Sequence, residues 1–286
     1  MGGCCKVLGQ ECSVRNLGLR FHDSRAFTDS PLPRPVFALL RLLYAALAAA
    51  DLVWIALDHP GGLWIIHLGN WSRIVTALYF LLGSFTALLG SECGSRERDQ
   101  YDRIIQEGDQ DNAFLDPGDS NSCGVKPGEK DESSKLYEND LSCHHQLLWV
   151  LHTLAFSSTF VSMVAYFAFF FEVRYTFLGL LDFPRHVLYL VFLIVDTHAS
   201  YIPVRLWHVI YAYVFNGAYV VFTVVFILIQ TKIDLHREPL LYPSLESGGK
   251  PLIYTAILSL CLITGSPVAQ IFFYLIYRFR ACLLSS

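Results

Sequence analysis

Residues 35–57 read PVFALLRLLYAALAAADLVWIAL, an apolar run interrupted by only two charges, Arg41 and Asp51. At 1.5 Å of rise per residue, such a helix is about 35 Å long. A hydrocarbon core of about 30 Å needs about 20 helical residues, because backbone groups at that depth can be satisfied only within the segment itself. The stretch therefore reads as a membrane span. Working outward, further spans are expected at 71–90, 146–171, 186–202, 208–230 and 251–277. The fourth is the shortest and holds Asp196, so it could join the fifth as a broken hairpin around Pro203. The expected fold is all-α, a polytopic membrane helical bundle with about six transmembrane helices.

Composition agrees with lipid as the solvent. Of 286 residues, 53% are apolar and only 16% charged, against roughly a quarter charged in an ordinary soluble domain. A soluble enzyme, a secreted disulfide scaffold and a coiled coil are poor fits. The net charge of −4 offers no basic excess, so no nucleic-acid partner is expected. The charges are also unevenly placed. Residues 91–145 hold 6 basic and 14 acidic side chains, a net −8, which leaves the rest of the chain at +4. That insert carries Asp116-Pro117-Gly118-Asp119 and Lys126-Pro127-Gly128-Glu129-Lys130. It cannot bury enough apolar area to offset its ordering entropy, and is expected to be an acidic disordered loop.

Positively charged flanks resist translocation, so they set orientation. With the amino terminus inside, 14 Lys and Arg lie on the cytosolic side and 5 outside. Both termini are then cytosolic. Cys4, Cys5, Cys12, Cys93, Cys123, Cys143 and Cys282 fall on the same reducing side, with Cys261 in the last span, so no structural disulfide is expected. The organisation that follows is a cytosolic segment 1–34, a transmembrane hairpin 35–90, the acidic cytosolic loop 91–145, four spans within 146–277 and a cytosolic tail 278–286. The first 34 residues lack the apolar core of a cleavable signal peptide, so the first span should act as its own insertion signal. The opening Met1-Gly2-Gly3-Cys4-Cys5-Lys6 makes Gly2 a candidate for myristoylation and Cys4 and Cys5 candidates for palmitoylation, although Lys6 stands where Ser or Thr is usual.

Ionisable groups inside a span cost a few kcal/mol on insertion scales, so each needs a partner, a watery cavity or a route to the interface. Arg41 lies about 9 Å from the inner boundary and is expected to snorkel. Asp51 and Arg73 flank a short loop between sequential spans and are expected to pair. Asp196, near mid-membrane, should face the bundle and meet His152, His208 or trapped water. Together with Asp51 and Arg73, the residues Asp196, His198, Arg205 and His208 form the expected buried polar network. No metal ion or cofactor is expected, since no HxxxH or HExxH spacing occurs and Asp116, Asp119 and Glu129 depart from a calcium-loop pattern. For nucleophilic catalysis, the topology brings Ser72 or Thr76 within range of His186. Hydroxyls in spans more often bond back to their own helix, which favours a non-enzymatic protein over an enzyme. Thr264-Gly265-Ser266-Pro267 marks an expected kink in the last span.

The order of several motifs resembles the rolling stone family of multi-pass membrane proteins. They are Leu17-Gly18-Leu19-Arg20-Phe21-His22-Asp23-Ser24, Gly61-Gly62-Leu63-Trp64, Leu68-Gly69-Asn70-Trp71, His186, Leu193-Ile194-Val195-Asp196 and Pro203-Val204-Arg205-Leu206-Trp207-His208-Val209-Ile210-Tyr211. The resemblance implies a plasma-membrane protein linked to cell fusion during muscle formation, a membrane organiser with membrane-protein partners as yet unidentified. A more distant resemblance, to the androgen-induced family of intramembrane fatty-acid-ester hydrolases, implies a lipid substrate, a Thr near the second span and a His near the fourth. Here Gly69 stands where that Thr is sought, and Tyr189 competes with His186 for the histidine position. Ser72 or Thr76 would then have to serve as nucleophile.

Overall fold

The computed structural model describes residues 19, 24–28, 30–58, 63–89, 142–167, 177–233 and 251–285. The candidate acylation sites Gly2, Cys4 and Cys5, and the acidic insert up to residue 141, lie outside them. The described residues contain helices and their connections, with no strand among them. The long helices are α1 (Arg34–Asp58), α2 (Leu68–Leu89), α3 (Cys143–Ala165), α4 (Phe177–Ala199), α5 (Val209–Ile233) and α6 (Pro251–Ser285). Short 3₁₀ turns stand at Ser24–Phe27, Leu63–Ile66 and Leu206–His208.

Five of these helices are long and apolar enough to cross a membrane. The fourth is not among those five: the part of it whose side chains are described forms a shorter apolar helix, His186–Ala199. The chain reads as an integral membrane protein, and the distribution of side chains has the same meaning. Along α1, Phe37, Ala38, Arg41, Tyr44, Ala45 and Ala48 are buried at helical spacing, while Leu39, Leu43, Trp54 and Leu57 face outward, Leu57 with 77% of its surface exposed. Thr76, His152, Asp196, His208, Thr223 and Ser266, in contrast, are fully or almost fully enclosed. Polar groups inside and large apolar groups outside invert the usual soluble arrangement, which is the distribution a hydrocarbon surrounding selects.

Helix α3 is the hub, packing against α4, α5 and α6. Its Phe156 stacks on Phe273 of α6 at 4.0 Å between ring centroids, and Trp149 meets Phe27 of the first 3₁₀ turn edge-on at 5.7 Å. Arg41 in the second turn of α1 reaches Gly83 late in α2 and Asp196 in the last turn of α4. These ends share one level, so α1 and α2 run antiparallel and α4 runs opposite to α1.

At Pro267 the ring removes the N–H that would bond the Ile263 carbonyl one turn back. Tyr213 of α5 donates its hydroxyl to that carbonyl at 3.2 Å. Ser266 and Thr264 donate to Leu262 and Leu260 at 2.6 and 2.8 Å. Helix α6 accordingly continues through the proline from Pro251 to Ser285. A neighbouring helix, more than the local Ser and Thr, repairs the carbonyl the proline orphans.

Candidate functional site

Two ionic clusters join α1, α2 and α4. In the first, the Arg41 guanidinium grips the Asp196 carboxylate with both edges, Nε to Oδ1 at 2.7 Å and Nη2 to Oδ2 at 3.0 Å. Nη1 also donates to the Gly83 carbonyl and Nη2 to the Tyr79 hydroxyl, each at 3.2 Å, and the Tyr79 hydroxyl itself donates to Asp196. The Phe37 ring lies 4.1 Å from the guanidinium carbon. Arg41, Tyr79 and Asp196 have no solvent exposure. Gly83 is required by this arrangement, since a Cβ there would fall 2.8 Å from Arg41 Nη1. Taking two charges out of water is costly, and the cost is offset only when geometry is good and the remaining polar atoms are bonded. Here the fork is bidentate and the second carboxylate oxygen also receives the phenol.

The expectation that Arg41 snorkels is therefore corrected. Its side chain turns inward because a carboxylate lies at the same depth. Asp196 meets Arg41 and Tyr79, and neither His152 nor His208 bonds to it. His152 stacks on Tyr79 at 4.9 Å and places Nε2 3.4 Å from Thr197 Oγ1. His198 bonds back to the Ile194 carbonyl of its own helix at 2.9 Å.

In the second cluster, Arg73 Nε lies 2.9 Å from Asp51 Oδ2, with 9% and 13% of the two side chains exposed. Tyr189 donates its hydroxyl to the same Asp51 oxygen at 3.0 Å. Arg73 Nη1 donates to Asn70 Oδ1 at 2.6 Å, and Asn70 in turn donates to the Trp64 carbonyl.

A third polar site surrounds the link between α4 and α5. Residues 201–205 are non-helical, and Ile202, Pro203 and Val204 are buried, so their peptide groups need partners from outside the segment. Trp149 Nε1 donates to the Pro203 carbonyl at 2.6 Å, and Gln270 Nε2 donates to the Arg205 carbonyl at 2.8 Å. The Arg205 guanidinium carbon sits 5.1 Å from the Trp149 ring, and His208 packs against the same ring edge-on at 4.6 Å. Both ring nitrogens of His208 are buried without a hydrogen-bond partner among the described residues.

The residues named for the alternative catalytic role are not joined by a hydrogen bond. Ser72 donates to the Gly69 carbonyl of its own helix at 2.8 Å, Thr76 pairs with Thr159 of α3 at 3.2 Å, and His186 stacks on Tyr166 at 3.7 Å. At Gly69 a Cβ would lie 3.3 Å from Ser162 Oγ, tight enough to require the neighbour to shift. Among the described residues, no group of three or more His, Cys, Asp or Glu is placed to hold a metal ion.

Sequence reasoning missed Tyr79, Gly83, Trp149 and Gln270 as parts of these clusters. A usable signal existed for the first: Arg41 and Asp196 stand about 9 Å from the same expected boundary, one on an odd-numbered span and one on an even-numbered span. Compared with models of known protein families, with curated proteins and with solved structures, the chain matches none.

Proposed function

We propose that the chain is a plasma-membrane protein of the rolling stone type, a non-enzymatic organiser that holds partner membrane proteins for cell fusion during muscle formation. The observation that supports it is the double pinning of α1, α2 and α4 by the Arg41 and Arg73 clusters. Such a bundle is rigid where it is polar and presents apolar side chains around its perimeter. Lipid tails and partner helices are its natural neighbours. The hydroxyls of Ser72 and Thr76 are engaged by Gly69 and Thr159, which agrees with a scaffold more than with a nucleophile waiting for a base.

In this proposal the bundle crosses the bilayer six times. The 23 residues of α4 span about 34 Å and supply the remaining crossing. Both termini and the 91–145 insert face the cytosol. The Arg41 level is the cytosolic half and the Arg73 level the outer half.

Depletion and rescue in fusing myoblasts test the function. Depletion should lower the fraction of nuclei in fused cells. Wild-type protein, Thr76→Val and His186→Ala should each restore it, whereas Asp196→Asn should not. Failure of both Thr76→Val and His186→Ala to rescue, at normal surface levels, would contradict the organiser role and favour lipid ester hydrolysis.

A further inference from the structure

At the Arg41 end of the bundle, Arg280 near the end of α6 is 95% buried, with only 5% of its surface accessible. Its guanidinium carbon lies 4.4 Å above the ring of Tyr201, the residue that opens the non-helical link. The Nε and Nη2 donors have no hydrogen-bond partner among the described residues. Among the described residues no carboxylate forms an ion pair with it, and the groups acting on its charge are the two phenols Tyr201 and Tyr277. An arginine cannot shed its proton in a protein, so burial cannot be relieved by neutralisation, and free donors at this depth call for an acceptor. The neighbouring Ser200 hydroxyl is also buried, with no hydrogen-bond partner among the described residues.

The surroundings indicate which acceptor. Tyr201 and Trp207 are both partly exposed, at 40% and 38%, on the same connection that carries the link. Exposed Tyr and Trp near span ends are typical of the headgroup level of a bilayer, where their apolar rings and polar tips are both accommodated. At that level the abundant oxyanion is phosphate, and the planar guanidinium fork is suited to accept two phosphate oxygens side by side.

We propose that Arg280, capped by Tyr201, is the cationic core of a site for a phosphate oxyanion. Nε and Nη2 donate to two of its oxygens. The same chemistry is offered by the headgroup of an anionic phospholipid and by inorganic phosphate. It is distinct from the Arg41 and Arg73 clusters, whose guanidinium groups already have carboxylates.

The test is native mass spectrometry of the full chain purified in a neutral detergent, titrated with phosphatidic acid, with phosphatidylcholine, and with phosphatidic acid in the presence of inorganic phosphate. Wild type should retain phosphatidic acid over phosphatidylcholine, and Arg280→Gln should lower that affinity about tenfold, the size expected for loss of one charge-assisted contact. Arg278→Gln, on the exposed side of the same helix, should bind as wild type does. Displacement of the lipid by inorganic phosphate identifies a site for the free anion; retention identifies a headgroup site. Arg280→Lys preserves the charge and the aliphatic stem but not the fork, so it serves should Arg280→Gln fail to fold, and its phosphatidic acid affinity should fall severalfold. Equal retention of phosphatidic acid by wild type and by whichever Arg280 variant folds, or equal losses for Arg278→Gln and the Arg280 variant, would overturn the site.

Discussion

The Arg41–Asp196–Tyr79 cluster and the Asp51–Arg73–Tyr189 cluster use the same three residue types on the same three helices, with each type moved along by one helix. Arginine stands on α1 at one level and on α2 at the other; aspartate passes from α4 to α1, and tyrosine from α2 to α4. Along α1 the two levels are about 15 Å apart. What differs is water. At the Arg41 level both charged side chains are fully enclosed, whereas at the Arg73 level 9% and 13% of the side chains remain accessible. The enclosed cluster saturates its carboxylate with a bidentate fork and a phenol; the accessible one leaves Arg73 Nε without a well-directed hydrogen bond despite the short ion-pair distance. The comparison shows two ways of holding a largely buried ion pair: one saturates its carboxylate with a fork and a phenol, the other leaves a buried guanidinium N–H poorly aligned and so less well compensated.

The largest expected effect is at the enclosed level. Asp196→Asn removes the charge that compensates Arg41, and should destabilise the folded chain by about 3–5 kcal/mol, measured as a fall in the denaturation midpoint in detergent. Gly83→Ala should follow, costing about 2 kcal/mol by pressing a methyl group into the Arg41 guanidinium. Arg41→Lys in the same background should recover part of that loss, since the slimmer head vacates the space; no recovery would mean that the strain lies elsewhere. At the Arg73 level, where a little of each side chain still reaches water, Asp51→Asn should cost less, about 2 kcal/mol. An effect there equal to that of Asp196→Asn would break the contrast. The smallest change, about 0.6 kcal/mol, is expected for Tyr213→Phe, which removes the donor to the Ile263 carbonyl beside Pro267.

The helical bundle was legible in the sequence because span length and apolar composition follow directly from bilayer thickness. The break around Pro203 was legible from the proline and the polar residues beside it. Asp51 and Arg73 are brought together by a short connection between consecutive spans, a local constraint that the chain order supplies. Arg41 and Asp196 are 155 positions apart, and nothing local decides between an arginine that reaches for the interface and one that turns inward. That choice depends on whether α4 packs beside α1, which is a property of tertiary packing. The roles of Tyr79 and Gly83 were hidden for a related reason: a tyrosine and a glycine in a span are unremarkable until a guanidinium is placed against them. The repair of Ile263 by Tyr213 likewise depends on a neighbouring helix.

The central claim is that one buried ion pair ties the first helix to the fourth. A double-mutant cycle of Arg41→Leu and Asp196→Leu, followed by equilibrium denaturation in detergent, addresses it most directly. Each single change should be strongly destabilising, and the double change markedly less so than their sum, with a coupling of about 2–3 kcal/mol. Additive losses, with coupling near zero, would contradict the pairing and the arrangement of α1, α2 and α4 built on it.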